Sequence, residues 1–287
     1  MKTSAENWIV IPAHNRKALT LACLDSLAKQ SFSDFAVVVV DDGSTDGTSE
    51  AIRESFPQVH LIRGSGDLWW TRATNLGVQH ALERGATRVV TLNDDLECAP
   101  DWIDRLVQAA SSRPNALLGC AACDIATGKL THKGTCIDWK TARFDTPAQP
   151  TGSDLLAVSH LPGRGMLVPD QVFRQIGLFD AKGLPHYGAD YDFSLRAKAA
   201  GFEVFCVTNA RLYSHMKESG ATKLFFQRSL GNYLRHLFGK KGGGNLAVFT
   251  RLAWRHCPRR YLAGFFARGI AARLGGYPLA WVREWLH

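Results

Sequence analysis

Four short apolar runs, each ending in a polar cluster and each followed by a helical pattern, restrict what this chain can fold into more than any other feature. Trp8-Ile9-Val10-Ile11 is stopped by Pro12, and Phe35 to Val40 gives way to Asp41-Asp42-Gly43-Ser44-Thr45-Asp46-Gly47. Val59 to Ile62 leads into a Gly-rich aromatic stretch, Gly64 to Trp70, and Arg88 to Leu92 stops at Asn93-Asp94-Asp95. Runs this short and this continuously apolar read as strands buried on both faces. Between and after them the spacing predicts helices over Lys17–Gln30, Thr48–Ser55, Thr71–Gly85 and, past Pro100, Asp101–Ser111. Strand–helix alternation of this kind makes an α/β fold, a mostly parallel central sheet with helices on both faces. At 287 residues the chain is long enough for one large domain of this type with appendages, or for two small ones.

In an open parallel sheet, ligands bind beyond the carboxyl ends of the strands. Each of the four clusters alone has a bland explanation, since Asp-Gly-Ser is a common turn and Asp or Asn often caps a helix. All four on one edge of one sheet point to a site. Asn93-Asp94-Asp95 is the sharpest of them, because apolar backbone lifts carboxylates to the sheet edge. Hard oxygen ligands there suit Mg2+ or Mn2+, with diphosphate oxygens filling the remaining positions. Such a cation would offset charge building on a departing nucleotide diphosphate. No Gly-x-x-x-x-Gly-Lys-Ser/Thr loop is present, and no Gly-x-Gly-x-x-Gly follows the first strand. An ATPase of the first type and a dinucleotide dehydrogenase lose their main support.

The remainder is less patterned. Ala116 to Pro169, rich in Thr, Gly and Pro, reads as hairpins and loops. A short helix over Gln171–Ile176, a helix over Ala189–Gly201 and a strand over Phe202–Val207 follow. Beyond Thr222 the pattern is helical and basic. Gly220 to His287 holds twelve Lys or Arg and one acid, a charge of +11, so the rest of a chain of net +8 carries −3. That asymmetry asks for a negatively charged partner. Leu262, Phe265, Phe266 and Ile270 share one helical face, Arg259 and Arg268 lie elsewhere, and Trp254, Trp281 and Trp285 add aromatics, which fits the surface of an anionic membrane. Arg273 falls on the apolar face and would have to snorkel. The rival readings are nucleic-acid binding, which nothing else in the sequence supports, a helical cover on the domain, and an oligomer interface. Gly242-Gly243-Gly244 reads as a flexible link. Seven cysteines without metal or disulfide spacing read as small buried residues in a reducing compartment. With no signal-like segment and no long apolar stretch, the expected place is the cytoplasm, peripheral at the inner face of the cell membrane.

Together the segments Ile11 to Arg16, Val39 to Gly47, Ala73 to Gly77, Leu92 to Asp95, Pro100 to Trp102, Gly163 to Pro169 and Ala189 to Arg196 resemble the family 2 inverting glycosyltransferases of the GT-A fold. The resemblance implies a catalytic domain over residues 1–218, with a nucleotide-binding half (1–115) and an acceptor half (116–218), followed by a basic amphipathic helical region over 219–287. It implies that Pro12, Ala13, Asn15 and Arg16 line the nucleotide pocket and that Asp41 or Asp42 bonds the base. Asn75 and Arg164 fall in matching motifs and are carried over as substrate contacts. Asp94 and Asp95 occupy the Asp-x-Asp metal motif, here with Asn93 first, so Asp95 is the metal ligand expected, with His215 beside the metal or diphosphate. Asp190, in Ala189-Asp190-Tyr191-Asp192, matches the base that takes the acceptor proton, with Asp192 second; the acid that often precedes it is Ala189 here. Gly66-Asp67-Leu68-Trp69-Trp70 is similar to a subset that builds bacterial surface polysaccharides, including rhamnosyl- and galactofuranosyltransferases. Trp69 and Trp70 would there form an apolar wall, one of them core packing, and Asp67 would bond donor sugar hydroxyls.

The function implied is metal-dependent transfer of a sugar from a uridine or thymidine diphosphate sugar to a hydroxyl of a glycan or lipid-linked glycan. Two alternatives stand beside it. A sugar nucleotidyltransferase would carry a Gly-rich basic loop after the first strand, which this chain lacks. An inactive relative that binds nucleotide sugar without turnover draws its support from Ala189.

Overall fold

The computed structural model describes residues 5–215 and 229–285, with the backbone alone at 277 and 279–285. The expected division at 218/219 falls outside the described residues, as do the side chains of Trp281 and Trp285.

The first third follows the expected alternation to within two residues: β1 (Asn7–Ala13), α1 (Lys17–Ala28), β2 (Phe35–Asp41), α2 (Thr48–Ser55), β3 (His60–Arg63), α3 (Trp69–Glu83) and β4 (Arg88–Thr91). β1 is the hub. It pairs in parallel with β2 on one side and β4 on the other, so Ala13 sits beside Asp41 and Leu92 N–H reaches Val10 O. The polar clusters are thereby brought to one edge. Successive strand residues face opposite ways. Ile9, Ile11, Val39 and Val90 pack with Leu24 and Leu27 of α1 and with Trp102, Ile103 and Leu106 of α4 (Trp102–Ser112). Trp8, Val10, Val38 and Val89 pack on the other face with Val78 and Ala81 of α3, Val172 and Phe173 of α5 (Asp170–Ile176), and Phe193 and Ala197 of α6 (Ala189–Ala199). Gly77 lets α3 lie close: a Cβ there would come within 2.3 Å of Val10 Cγ1.

The stretch expected to be hairpins and loops supplies the centre of the sheet instead. Ala116–Asp124 is β6, nine residues of which the first eight are buried. Its sequence, Ala-Leu-Leu-Gly-Cys-Ala-Ala-Cys-Asp, has no β-branched residue, so its burial on both faces left no pattern to read. The sheet runs β10-β12-β6-β11-β4-β1-β2-β3, where β10 is Leu155–Ala157, β11 Met166–Pro169 and β12 Glu203–Ser214. β12 continues past the expected Val207 through a register shift between Val207 and Arg211, and it pairs with β6 in parallel. Antiparallel β11 joins the two parallel groups. β5 (Leu96–Cys98) pairs with β12, β7 (Leu130–His132) with β6, and β8 (Cys136–Asp138) with β9 (Arg143–Asp145) forms a separate hairpin.

The basic region forms α7 (Leu230–Phe238), α8 (Leu246–His256), a 3-10 turn at Arg259–Tyr261 and α9 (Leu262–Trp285). Here the face expected to meet a membrane is partly covered, while Trp254 stays exposed. Phe249, Ala253, Cys257 and Phe265 form a third apolar cluster, closed by Leu262, Phe266 and Ile270 and by Ile137 and Trp139 of the β8–β9 hairpin. Packing against that hairpin removes the apolar face from water without a membrane. Acids of the sheet domain meet part of the positive charge. Arg255 reaches Asp192 at 2.7 Å and Asp180 at 3.1 Å, and His256 Nε2 lies 2.9 Å from Asp192. Six of the seven cysteines are buried and Cys136 is half-buried; none is in a disulfide.

Candidate active site

A cavity of about 810 Å³ opens at the edge where β1, β2 and β4 end. At the β1–β2 end its wall includes Pro12, Ala13, His14, Arg16 and Asp42. Asp41 and Asp42, between which the sequence did not choose, do different things. Asp41 is fully buried and off the cavity wall; its carboxylate accepts from Ser44 N–H at 2.9 Å and from the Ser49 hydroxyl. Asp42 reaches the wall, but its carboxylate anchors the next loop, accepting from the N–H groups of Gly66 (2.8 Å), Leu68 (2.9 Å) and Trp69 (3.1 Å). Asn15, at φ +51°, is exposed and spends its side-chain oxygen on Thr45 N–H at 2.8 Å. Asn75 likewise straps α3 to Phe179, donating to its carbonyl and accepting from its N–H. Asp67 is exposed and accepts from the Ser65 hydroxyl. Asn15, Asn75 and Asp67 stand off the cavity wall, and the bonds named here are backbone and loop ties.

The acidic cluster does enter the cavity. Arg16 Nη1 bridges Asp95 Oδ2 at 2.8 Å and Asp94 Oδ1 at 3.3 Å, tying the end of β1 to the end of β4. Asn93 Oδ1 accepts from Trp70 Nε1 at 2.9 Å, which fixes that ring. Burial pushes the Asp94 carboxyl up to about 7 against the pull of Arg16, and the adjacent Asp95 adds to the rise. Asp94 Oδ2 is buried with no hydrogen-bond partner. That orphaned oxygen and the adjacent Asp95 suit a hard divalent cation whose other ligands come from a diphosphate. The pairing of Asp95 with His215 is not assembled. The β5–β12 pairing ends at Ser214 opposite Leu96, and the ring of His215 just beyond it is turned to Glu97, with Nε2 3.0 Å from Oε1. Among the described residues no three His, Cys, Asp or Glu side chains stand together as a metal site.

Asp190 lines the same cavity, in the first turn of α6 and beside Gly163. Its Oδ2 accepts from Gly163 N–H at 2.8 Å and its Oδ1 from Tyr191 N–H at 2.9 Å. Burial raises its pKa, opposed by those N–H groups and by Arg164. Arg164, on the same wall, has a buried Nε without a partner. Asp192, the second choice, points away from the cavity. It is bonded to Arg196, Arg255 and His256, which hold it down to about 2 against the effect of burial. Ala189 is fully buried beside Phe193 in the core, so the family's extra acid has no place in this packing.

Trp69 and Trp70 both line the cavity. Trp70 is the packed one, edge-on to Phe179 with centroids 5.6 Å apart. Trp69 adopts φ +60°, unusual for a bulky residue. Its ring lies under Lys240 Nζ at 4.8 Å and Lys241 Nζ at 5.7 Å, with His186 edge-on at 5.7 Å. Lys241, Gly242 and Gly243 line the cavity, so the segment read as a flexible link is part of the wall. His14 and His186 also line it and were not foreseen. His186 is pushed down to about 4, first by burial and then by Lys241 and Arg16, and is therefore neutral.

The family model for glycosyl transferase family 2 matches residues 8–170. Among curated proteins, an O-antigen biosynthesis protein of Myxococcus xanthus is 25% identical over 74% of this chain, which spans only 17% of that protein's length. An N-acetylglucosaminyl-diphospho-decaprenol L-rhamnosyltransferase of Mycobacterium tuberculosis is 27% identical over 68% of this chain and 71% of its own. Among solved structures, GalNAc-T7 with UDP, GalNAc and Mn2+ superposes with a TM-score of 0.62 at 18% identity, covering 72% of this chain and 42% of that one. Residues 1–349 of Staphylococcus aureus TarS with UDP give 0.60 at 15%, covering 96% and 75%. At such identities the structural likeness is one of fold.

Proposed function

This chain belongs to glycosyl transferase family 2, and we propose that it moves a sugar from a uridine or thymidine diphosphate sugar to a hydroxyl of a glycan or lipid-linked glycan acceptor, with inversion, in bacterial surface polysaccharide synthesis. The observation that carries this reading is the cavity itself. It has Arg16, Asp94 and Asp95 at the sheet edge and Asp190 on the same wall. The names of the Myxococcus and Mycobacterium relatives support the acceptor class.

In this reading Pro12, Ala13 and Asp42 border the base, and Trp69 and Trp70 wall the donor sugar. A Mn2+ or Mg2+ ion at Asp94 and Asp95 would stabilise negative charge on the leaving diphosphate. Arg16 holds those two carboxylates together and adds positive charge beside them. Asp190 takes the proton from the acceptor hydroxyl as its oxygen attacks the anomeric carbon from the face opposite the diphosphate. Gly163 N–H orients that carboxylate. Ala189 gives the inactive reading no support, because its side chain is in the core.

No helix among the described residues is long and apolar enough to cross a membrane. Attachment at the inner membrane surface now rests on α7, where Leu230, Leu234 and Phe238 are exposed at helical spacing next to Arg235, Lys240 and Lys241.

The test is thermal stability with a panel of nucleotide sugars and Mn2+. A ligand that binds only the folded state raises the midpoint. One uridine or thymidine diphosphate sugar is expected to do so, with metal, and Asp95→Ala to abolish the shift. A folded protein that no nucleotide sugar stabilises, with any metal, overturns the donor site.

A further inference from the structure

The same cavity has an arm lined largely by aromatic side chains. Its walls are Ile137, Trp139 and Phe144 of the β8–β9 hairpin and Phe249, Phe265 and Arg273 of α8 and α9. Phe144 is 48% exposed, so the arm opens to solvent along an aromatic surface.

Arg273 is the odd member. It is half-buried. Its guanidinium carbon lies 3.9 Å from the centre of the Phe249 ring, and Nη1 donates to Gly269 O of its own helix at 3.1 Å. Nε is buried without a partner, and no carboxylate among the described residues pairs with it. Burial lowers its pKa to about 10. A cation kept in an apolar wall without a counter-charge is costly unless an anion arrives to pair with it. The planar fork of Arg suits a phosphate ester. Further along the same cavity, next to Asp190, Arg164 presents a second buried Nε without a partner.

We propose that this arm is the acceptor subsite, and that it takes an acceptor in which a phosphate or diphosphate ester, held by Arg273, joins the sugar to an apolar chain lying along Trp139 and Phe144. The inference rests on the transferase reading above. It makes the C-terminal region a wall of the acceptor site. The shared chemistry, a phosphate ester, could also come from a soluble sugar phosphate, and the apolar wall favours the lipid-borne one.

The experiment is calorimetric titration of the full chain, saturated with UDP and Mn2+ so that the donor end is filled. The probes are farnesyl diphosphate, inorganic pyrophosphate and farnesol. Farnesyl diphosphate is expected to bind without displacing UDP, and more tightly than either fragment. Arg273→Gln should weaken it about tenfold or more while leaving farnesol unchanged, and Arg273→Lys should restore much of the loss. Trp139→Leu should weaken farnesyl diphosphate but not pyrophosphate, which keeps the test alive if an Arg273 variant folds poorly. Asp95→Ala should lose UDP and keep farnesyl diphosphate, so failure of the donor site and failure of this subsite are told apart. The proposal is overturned if folded Arg273→Gln binds farnesyl diphosphate like the parent, or if UDP and farnesyl diphosphate compete. It is also overturned if pyrophosphate binds as tightly as farnesyl diphosphate, because the apolar wall then contributes nothing.

Discussion

Asp190 is held by two N–H groups, and these set both its aim and its charge. The N–H groups favour the carboxylate and burial favours the acid, with burial the larger effect. A base works deprotonated, so turnover should fall as pH drops through a pKa displaced upward from 3.8. A pH profile of kcat/KM is expected to show that acid limb. Asp190→Asn should cut turnover about 10²–10⁴-fold while the thermal shift by nucleotide sugar persists; undiminished turnover would remove Asp190 from the role of base. Gly163 is constrained from the opposite side. A Cβ there would lie 2.4 Å from the Trp70 ring, so Gly163→Ala has to displace the ring that bonds Asn93 or the N–H that holds Asp190. A loss of about 1–3 kcal/mol in chemical denaturation, together with reduced turnover, is expected. At this scale the acids were legible because each follows an apolar strand or opens a helix. Asn15, Asn75 and Asp67 were not, because a motif does not tell which way an amide or carboxylate turns once the chain closes around it.

Among the elements, the sheet edge was readable and the pieces that close it were not. β1, β2 and β4 announce themselves by β-branched runs, whereas β6 has no β-branched residue. The loop between α7 and α8 shows the same limit. A glycine run reports freedom of the backbone but not where the backbone goes. Docking of α8 carries it to the cavity mouth, where Lys240 and Lys241 sit over Trp69. The donor diphosphate is the anion nearest to hand in the proposed reaction, and Lys241 faces the same cavity as Asp94 and Asp95. Lys241→Ala is therefore expected to weaken nucleotide-sugar binding about tenfold, in the range of one lost hydrogen bond to a charged group. The loss should appear mainly in donor KM and shrink at high salt. An unchanged donor KM at low salt would leave Lys241 a surface cation.

For the molecule as a whole, the question is what keeps the C-terminal helices on the domain, because they supply part of the cavity wall. Asp192 is the join. It is buried, sits on α6 two residues after Asp190, and binds Arg196 of its own helix with Arg255 and His256 of α8. Asp192→Asn removes the carboxylate that Arg196 and Arg255 share, leaving Arg255 with Asp180 alone, and breaking a buried pair typically costs about 3–5 kcal/mol. Denaturant unfolding at neutral pH should show a loss of that order. Its pH dependence identifies the source. The folded carboxyl is held at about 2 against an ordinary 3.8, so its contribution is fully present above the ordinary value. That contribution declines as pH falls toward the folded pKa and is gone below it. The stability gap between parent and Asp192→Asn should therefore narrow between about pH 5 and pH 2, whereas a gap that stays constant assigns the loss to packing rather than to charge. Because α6 carries Asp190 as well, loosening this join should also raise the acceptor KM before the sheet itself unfolds, and steady-state kinetics of the variant in mild denaturant can read that order of events.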